Sequence, residues 1–316
     1  MKNLIRKLRV LFNTHSIDGY IIPKNDEFFS EHANKDRLKK ITNFTGSAGY
    51  AIILKNKNYL FVDSRYTIQA KIESGKDFKI CDYGKIFDFK EIKNLTIGLD
   101  PALFTSEQIK KIFPRKNIKI IKENLIDKII KNKKSKINKF YPLDKQITGQ
   151  SRLAKINIII EFLKKNKLDH IFISAPENVA WLLNIRGKDS PTSPIPNSHL
   201  LISRNRKRIL IAPKEKLKIL IKKKIININE ILEPKEFYKI NERLSGSRIL
   251  LDVKSCSLKF EELFSKKFKV FKKNDPTYYL KSIKNKVEID NTIKTHIQDG
   301  VALTKFLFWI KKINKK

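Results

Sequence analysis

The chain has 316 residues, enough for two domains that each bury a core, and 41 % of them are hydrophobic. Its 68 Lys and Arg against 32 Asp and Glu give a formal charge of +36, which in clusters would point to nucleic acid or an anionic membrane. The charge is instead scattered from Lys2 to Lys316 among many Ile and Asn, residues with A/T-rich codons, without a basic stripe, finger or aromatic-basic ribonucleoprotein motif. No specific nucleic-acid partner is expected. Cys81 and Cys256 lie far apart without CxxC spacing and read as reduced thiols of a cytoplasmic protein. The N-terminus interleaves basic with apolar residues at helical spacing, as a first helix does and a signal peptide does not. No apolar run approaches the ~20 residues that span a bilayer, so no membrane partner is expected.

Leu4 to Phe12 reads as an amphipathic helix, Asp18-Gly19 as its stop, and Tyr20 to Ile22 as a buried strand closed by Pro23. Phe28 to Asp36 is a polar helix or loop carrying His32. In FTGSAG, Gly46, Ser47 and Gly49 supply a tight turn, and Ala51 to Leu54 with Tyr59 to Val62 form a hairpin around Lys55 to Asn58. Asp63 or Ser64 then caps a helix from Tyr66 to Ser74, which puts Arg65 on its first turn. The helix dipole disfavours a cation there by about 0.3–1 kcal/mol. Arg65 is therefore either paired with a carboxylate such as Asp63 or held for a ligand. Phe78 to Cys81, Thr96 to Asp100 and Ile118 to Ile121 are further strands, with helices at Ser106 to Phe113 and Leu125 to Ile130. A mixed sheet flanked by helices follows.

The charge run Lys131 to Lys139 and the aperiodic Pro142 to Thr148 mark a domain boundary. The pattern then restarts: a helix over Ser151 to Asn166, a strand over His170 to Ser174, a helix over Glu177 to Leu183, and a hairpin of Leu200 to Ser203 with Ile209 to Ala212. Gly19 to Pro23 answers to His170 to Ala175, Tyr59 to Asp63 to Arg208 to Ala212, and Gly98 to Asp100 to Leu250 to Asp252, as one α/β module used twice. The second copy carries Asn184 to Gly187, NIRG, where the first has its FTGSAG turn. After the break at Asp275-Pro276, Leu280 to Ile313 reads as one long helix with Ile289, Ile293, Ile297 and Val301 spaced by four, a face that must be buried against something.

None of His15, His32, His170, His199 and His296 stands at a metal-ligand spacing to another, and HExxH, Walker and GxSxG motifs are missing. His170 reads as a satisfied core histidine, and His296 as either a solvated helix face or a group facing a following domain. In AWLLNIRG, Trp181 reads as buried. Arg186 either pairs with Asp189 or lines an interdomain cleft where charged groups meet a peptide end.

Taken together, FTGSAG, VDSRYTIQA, VAWLLNIRGKDSPTSP and KSIKNKVEIDNTIKTHIQDGVALTKFLFWI resemble, in order and over nearly the whole chain, the three-domain Xaa-Pro aminopeptidases (aminopeptidase P) of the creatinase/prolidase superfamily. The resemblance implies an α/β architecture of two tandem creatinase N-terminal-like domains, at 1–140 and 150–273, with the first helix of a truncated "pita-bread" catalytic domain at 275–316. Members of the family remove the N-terminal residue from peptides with Pro in second position, commonly with two manganese ions and often as homodimers, the metals polarising the scissile carbonyl and holding the attacking hydroxide. The arginine matching Arg65 binds peptide substrate there, a task that suits a planar guanidinium fork.

The family's metal ligands, two Asp, one His and two Glu, belong to a part expected after Lys316. No catalytic or metal-binding residue is therefore assigned, and Asp275, Asp290 and Asp299 do not stand in for them. The expectation is a cytoplasmic metallo-aminopeptidase fragment, inactive alone, whose partners are Xaa-Pro peptides, a second copy or a separate catalytic-domain fragment. The alternative is a stand-alone, non-catalytic peptide-binding or oligomerisation module.

Overall fold

A computed structural model describes residues 1–30, 35–114, 117–130, 137–190 and 192–313. His32, Pro191 and most of the charge run at Lys131 lie outside the described residues. The first half comprises α1 (Lys2–Thr14), β1 (Gly19–Pro23), α2 (Arg37–Thr42), β2 (Gly49–Leu54), β3 (Asn58–Val62), α3 (Thr67–Ser74), β4 (Lys79–Asp82), β5 (Ile97–Leu99), α4 (Ser106–Ile112), β6 (Ile118–Ile120) and α5 (Leu125–Ile129). Its strands lie in the order β4-β3-β2-β1-β5-β6. β2 runs antiparallel to both β1 and β3, while the outer pairs are parallel. Strands covered on both faces read as continuous apolar runs, and GYIIP and GYAIIL are buried throughout. One face packs on α1 through Ile5, Leu8 and Phe12, residues spaced to share a helix face. The other face packs on α4 through Ile109 and Ile112.

The second half continues with β7 (Tyr141–Pro142), α6 (Lys145–Thr148), α7 (Arg152–Lys165), β8 (His170–Ile173), α8 (Pro176–Leu183), β9 (Ile185–Arg186), β10 (His199–Ser203), β11 (Arg208–Ile211), α9 (Lys214–Lys222), β12 (Ile231–Leu232), β13 (Arg248–Asp252), α10 (Leu258–Ser265) and β14 (Lys269–Lys273). Its sheet, β12-β11-β10-β8-β13-β14, repeats the order and strand directions of the first. The three segment pairs matched in sequence fall on β1 and β8, β3 and β11, and β5 and β13.

Two segments hold elements that the sequence reading left unassigned, and one expectation is corrected. A helix, α2, stands after the polar loop at Phe28: Asp36 caps it by accepting from Lys39 N, and Asn43 ends it in the left-handed region at φ 66°. The aperiodic segment 142–148 holds short elements. β7 pairs with β9, so the connector is fastened to the NIRG turn, and α6 follows. The terminal helix is not continuous from Leu280: α11 (Thr277–Ser282) ends, and α12 (Lys286–Ile313) begins at a new cap. There Asn285 Oδ1 accepts from Glu288 N and Glu288 accepts from Asn285 N, each at 3.1 Å, a reciprocal capping box.

The modules are joined by backbone bonds from Leu258 N to Phe104 O (2.8 Å) and Lys259 N to Pro101 O (3.0 Å), and by Phe28 stacked on His199 at 4.9 Å. His199 is fully enclosed and bonds to Ser174 O through Nδ1 at 2.9 Å. Burial pushes its pKa down to about 4. As pH falls, the unfolded chain, with its imidazole near 6.5, takes up the proton first. The stabilisation is therefore complete above that value and is lost as pH falls towards 4. Between pH 7 and 5 this residue is expected to cost about 2 kcal/mol of stability. His199→Gln should flatten that part of the profile in urea melts, and an unchanged profile would remove His199 as the cause.

Candidate functional site

The FTGSAG turn and α3 form one hydrogen-bonded unit. Thr45 donates through its backbone N (2.8 Å) and Oγ1 (2.6 Å) to the Glu73 carboxylate, and Gln69 Nε2 donates to Thr45 Oγ1 at 2.6 Å. Ser47 Oγ and Tyr66 OH stand 3.0 Å apart, and the Tyr66 ring meets Phe44 edge-on at 5.8 Å. A Cβ at Gly46 would lie 2.3 Å from the Phe44 ring, and one at Gly49 2.8 Å from Phe61 O in the paired strand, so both positions need glycine for space.

Arg65 sits on the single 3₁₀ turn Ser64–Tyr66 that leads into α3, capped by Asp63. Its Nε donates to Asp63 Oδ1 at 2.8 Å, and the guanidinium lies over the Tyr66 ring at 5.4 Å. The carboxylate expected as a partner is therefore its partner here, and the hydrogen bond from Arg65 holds the Asp63 pKa below its ordinary value. The Arg65 side chain is nonetheless 71 % exposed. The guanidinium thus faces solvent, and its planar fork suits a carboxylate or carbonyl. Beside the same turn opens a groove of about 300 Å³ lined by Lys24, Asn25, Ser47, Tyr50, Tyr83 and, from the second module, Lys254.

Of the two readings of the NIRG turn, the Arg186–Asp189 pair is not formed, and Arg186 instead lines a cleft. Asp189 pairs with Lys216 at 2.7 Å and accepts from Asn197 N at 2.9 Å, while Arg186 Nη1 donates to Ile185 O at 2.9 Å. Short chain separation did not decide the ion pair, because Lys216 on α9 reaches Asp189 from the other side. Trp181 is half-buried, with Lys155 Nζ over its ring at 4.1 Å. Lys155 was not singled out in sequence, and nothing in its helical surroundings marked it. His170 is a satisfied core histidine: its ring nitrogens meet Ser203 Oγ (2.8 Å) and Ser245 O (2.5 Å), and burial lowers its pKa. His296 lies exposed on α12.

Among the described residues no group of three or more His, Cys, Asp or Glu is arranged to hold a metal ion. Asp275 is an internal acceptor for Asn178 Nδ2 and Thr277 N, and burial pushes its pKa up to about 6. The residues described here thus do not fit a two-metal site, and no metal step is assigned to them. No helix among them is long and apolar enough to cross a membrane.

The family model for the Creatinase/Prolidase N-terminal domain matches residues 5–129, and a second model of the same description matches residues 131–288. The chain is 30 % identical over 331 residues to a probable Xaa-Pro aminopeptidase P of Laccaria bicolor, covering 98 % of this chain and 51 % of that protein. It is 29 % identical to Xaa-Pro aminopeptidase 1 of Dictyostelium discoideum, over 98 % of this chain and 53 % of that one. The chain therefore spans about half the length of the curated relatives it matches. In fold it is similar to an X-prolyl aminopeptidase of Caenorhabditis elegans, described as a cytosolic enzyme with a di-nuclear active site. The TM-score is 0.86 at 24 % identity, over 98 % of this chain and 56 % of that one. With both modules matched and the same sheet built twice, the chain belongs to the creatinase/prolidase N-terminal domain family.

Proposed function

We propose that this chain is the substrate-recognising N-terminal part of a cytoplasmic, manganese-dependent Xaa-Pro aminopeptidase, with Arg65 binding peptides that carry Pro in second position. The observation that carries this reading is the match, collinear over 98 % of the chain, to Xaa-Pro aminopeptidase P proteins. In this reading 1–140 and 150–273 are the two recognition domains, 275–316 leads into the catalytic domain, and the intact enzyme is a homodimer. In this reading the metal-holding residues belong to the catalytic domain, and among the described residues no His, Cys, Asp or Glu cluster is arranged to hold a metal. The chain therefore limits access and orients the peptide but does not hydrolyse it.

Arg65→Ala is expected to weaken binding of an Ala-Pro-Ala peptide by about tenfold, as for loss of one charge-assisted contact, and Arg65→Lys to recover only part of it. Calorimetric titration of the purified chain checks both. Equal affinity for wild type and Arg65→Ala would remove the role. Release of alanine by the purified chain with manganese would overturn the non-catalytic part. The stand-alone oligomerisation reading draws its support from α12, which has no buried residue.

A further inference from the structure

An open cleft of about 510 Å³ lies between the second module and α12, far along the chain from Arg65. One wall carries Lys155 of α7, Trp181 of α8 and Arg186 of β9, and the other carries Glu288, Thr292 and Thr295 of α12. Its charge is one-sided. Lys155, Arg186, Lys284 and Lys294 face a single carboxylate, Glu288, which is already engaged in capping α12.

Lys155 is the unusual member. It is buried, yet among the described residues its ammonium donates to neutral acceptors alone, Asn184 Oδ1 at 2.8 Å and Trp181 O at 3.1 Å. A buried ammonium normally has a carboxylate to offset its lost hydration. Part of the offset comes from the C-terminal end of α8, whose last carbonyls attract a cation, and part from the Trp181 ring. These contacts fix the ammonium rigidly at the cleft wall without neutralising it. Next to it, Arg186 spends Nη1 on the carbonyls of Ile185 and Ala180, and the described residues give Nε and Nη2 no acceptor. Among the described residues the Trp181 indole N–H, in the same wall, is also buried without an acceptor. The cleft thus carries a cationic wall with an unused guanidinium edge, which a group rich in acceptors would satisfy.

We infer that this cleft is a carboxylate-binding site, with Arg186 and the fixed Lys155 ammonium as its cationic floor. A planar carboxylate matches the guanidinium edge, and its single charge is tolerated beside Glu288 better than the double charge of a phosphate. The carboxylate can come from the C-terminus of a short peptide or from a free small acid. The inference stands on the cleft alone and does not depend on Arg65 or on peptidase activity.

Of the two tryptophans, Trp309 is exposed on α12, so a Trp309→Phe background leaves Trp181 as the sole reporter at the cleft. Titration of that full chain with Ala-Pro-Ala free acid, its C-terminal amide, succinate and inorganic phosphate is the test. A saturable change in Trp181 emission is expected with the acid. Arg186→Gln should weaken it at least about tenfold, and the exposed, remote Lys119→Ala should leave it unchanged. The amide should bind at least about tenfold more weakly than the acid. If the peptide acid binds more tightly than succinate, the natural source is a peptide end. If succinate matches it, the source is a free acid, and either outcome supports a carboxylate site. Circular dichroism of Arg186→Gln, and a Thr295→Phe variant expected to block the cleft without adding a second tryptophan, guard against a folding artefact. Equal binding of acid and amide, binding of phosphate alone, no saturable change, or indifference to both Arg186→Gln and Thr295→Phe would overturn it.

Discussion

Replacing Arg37 by alanine is expected to destabilise the first module by about 3 kcal/mol. Arg37 is buried, yet it binds Asp127 through Nε (3.0 Å) and Nη2 (2.7 Å) and Glu27 through Nη2 (2.6 Å). It thereby ties α2 to α5 and to the loop after β1. Burial alone would lower its pKa, but the bonds and charges of Asp127 and Glu27 outweigh burial and hold the guanidinium protonated. Alanine removes the guanidinium that the two carboxylates share, while Glu27 keeps Lys35 at 3.8 Å. Because Glu27 and Asp127 remain 33 % and 28 % exposed, the cost falls at the lower end of that for a broken buried pair. Urea unfolding followed by near-ultraviolet circular dichroism measures it. Arg37→Met together with Glu27→Gln and Asp127→Asn should recover most of the loss, since it removes the charges as a set. A cost below about 0.5 kcal/mol for the single alanine, the range of ordinary surface changes, would mean that the three-way bridge does not hold the module.

The second large effect concerns α12. At 28 residues it is about 42 Å long, and its principal helix contact is with α6 near its start. Phe306, Leu307, Phe308 and Trp309 are each more than half exposed, as are Ile293, Ile297 and Val301. Burying such side chains is worth about 1.5–3 kcal/mol apiece, and exposed apolar surface of this extent marks an interaction face. The 316-residue chain is therefore expected to self-associate at micromolar concentration, or to bind a separately produced catalytic domain. Ending the chain after Ile283 should make it monomeric without lowering the stability of either module. Sedimentation velocity of the two forms decides it, because a full chain that stays monomeric would show that α12 buries its face in some other way.

The sequence by itself determined the repeated module, since each buried strand is a short apolar run whose meaning depends little on distant partners. It also determined the hairpin and the place of Arg65, because glycine spacing, the polar turn and the Asp63 cap are all local signals. The helix α2 was legible too, in Asp36, the Leu38 and Ile41 pair and Asn43, but those cues span only eight residues and sit beside a polar stretch. The capping box of Asn285 and Glu288 was likewise written in the chain, though hidden inside a longer apolar period.

Only the tertiary structure decided which charges meet. Lys216 rather than Arg186 takes Asp189, and Arg37 closes on Asp127 ninety positions away. Lys155 became notable only when α7 packed against the end of α8 and buried an ammonium among neutral oxygens. Strand and cap signals act over a few bonds, so the sequence carries them directly. Ion pairs and clefts depend on the distance between elements, and that distance exists only once the two sheets and their helices have packed.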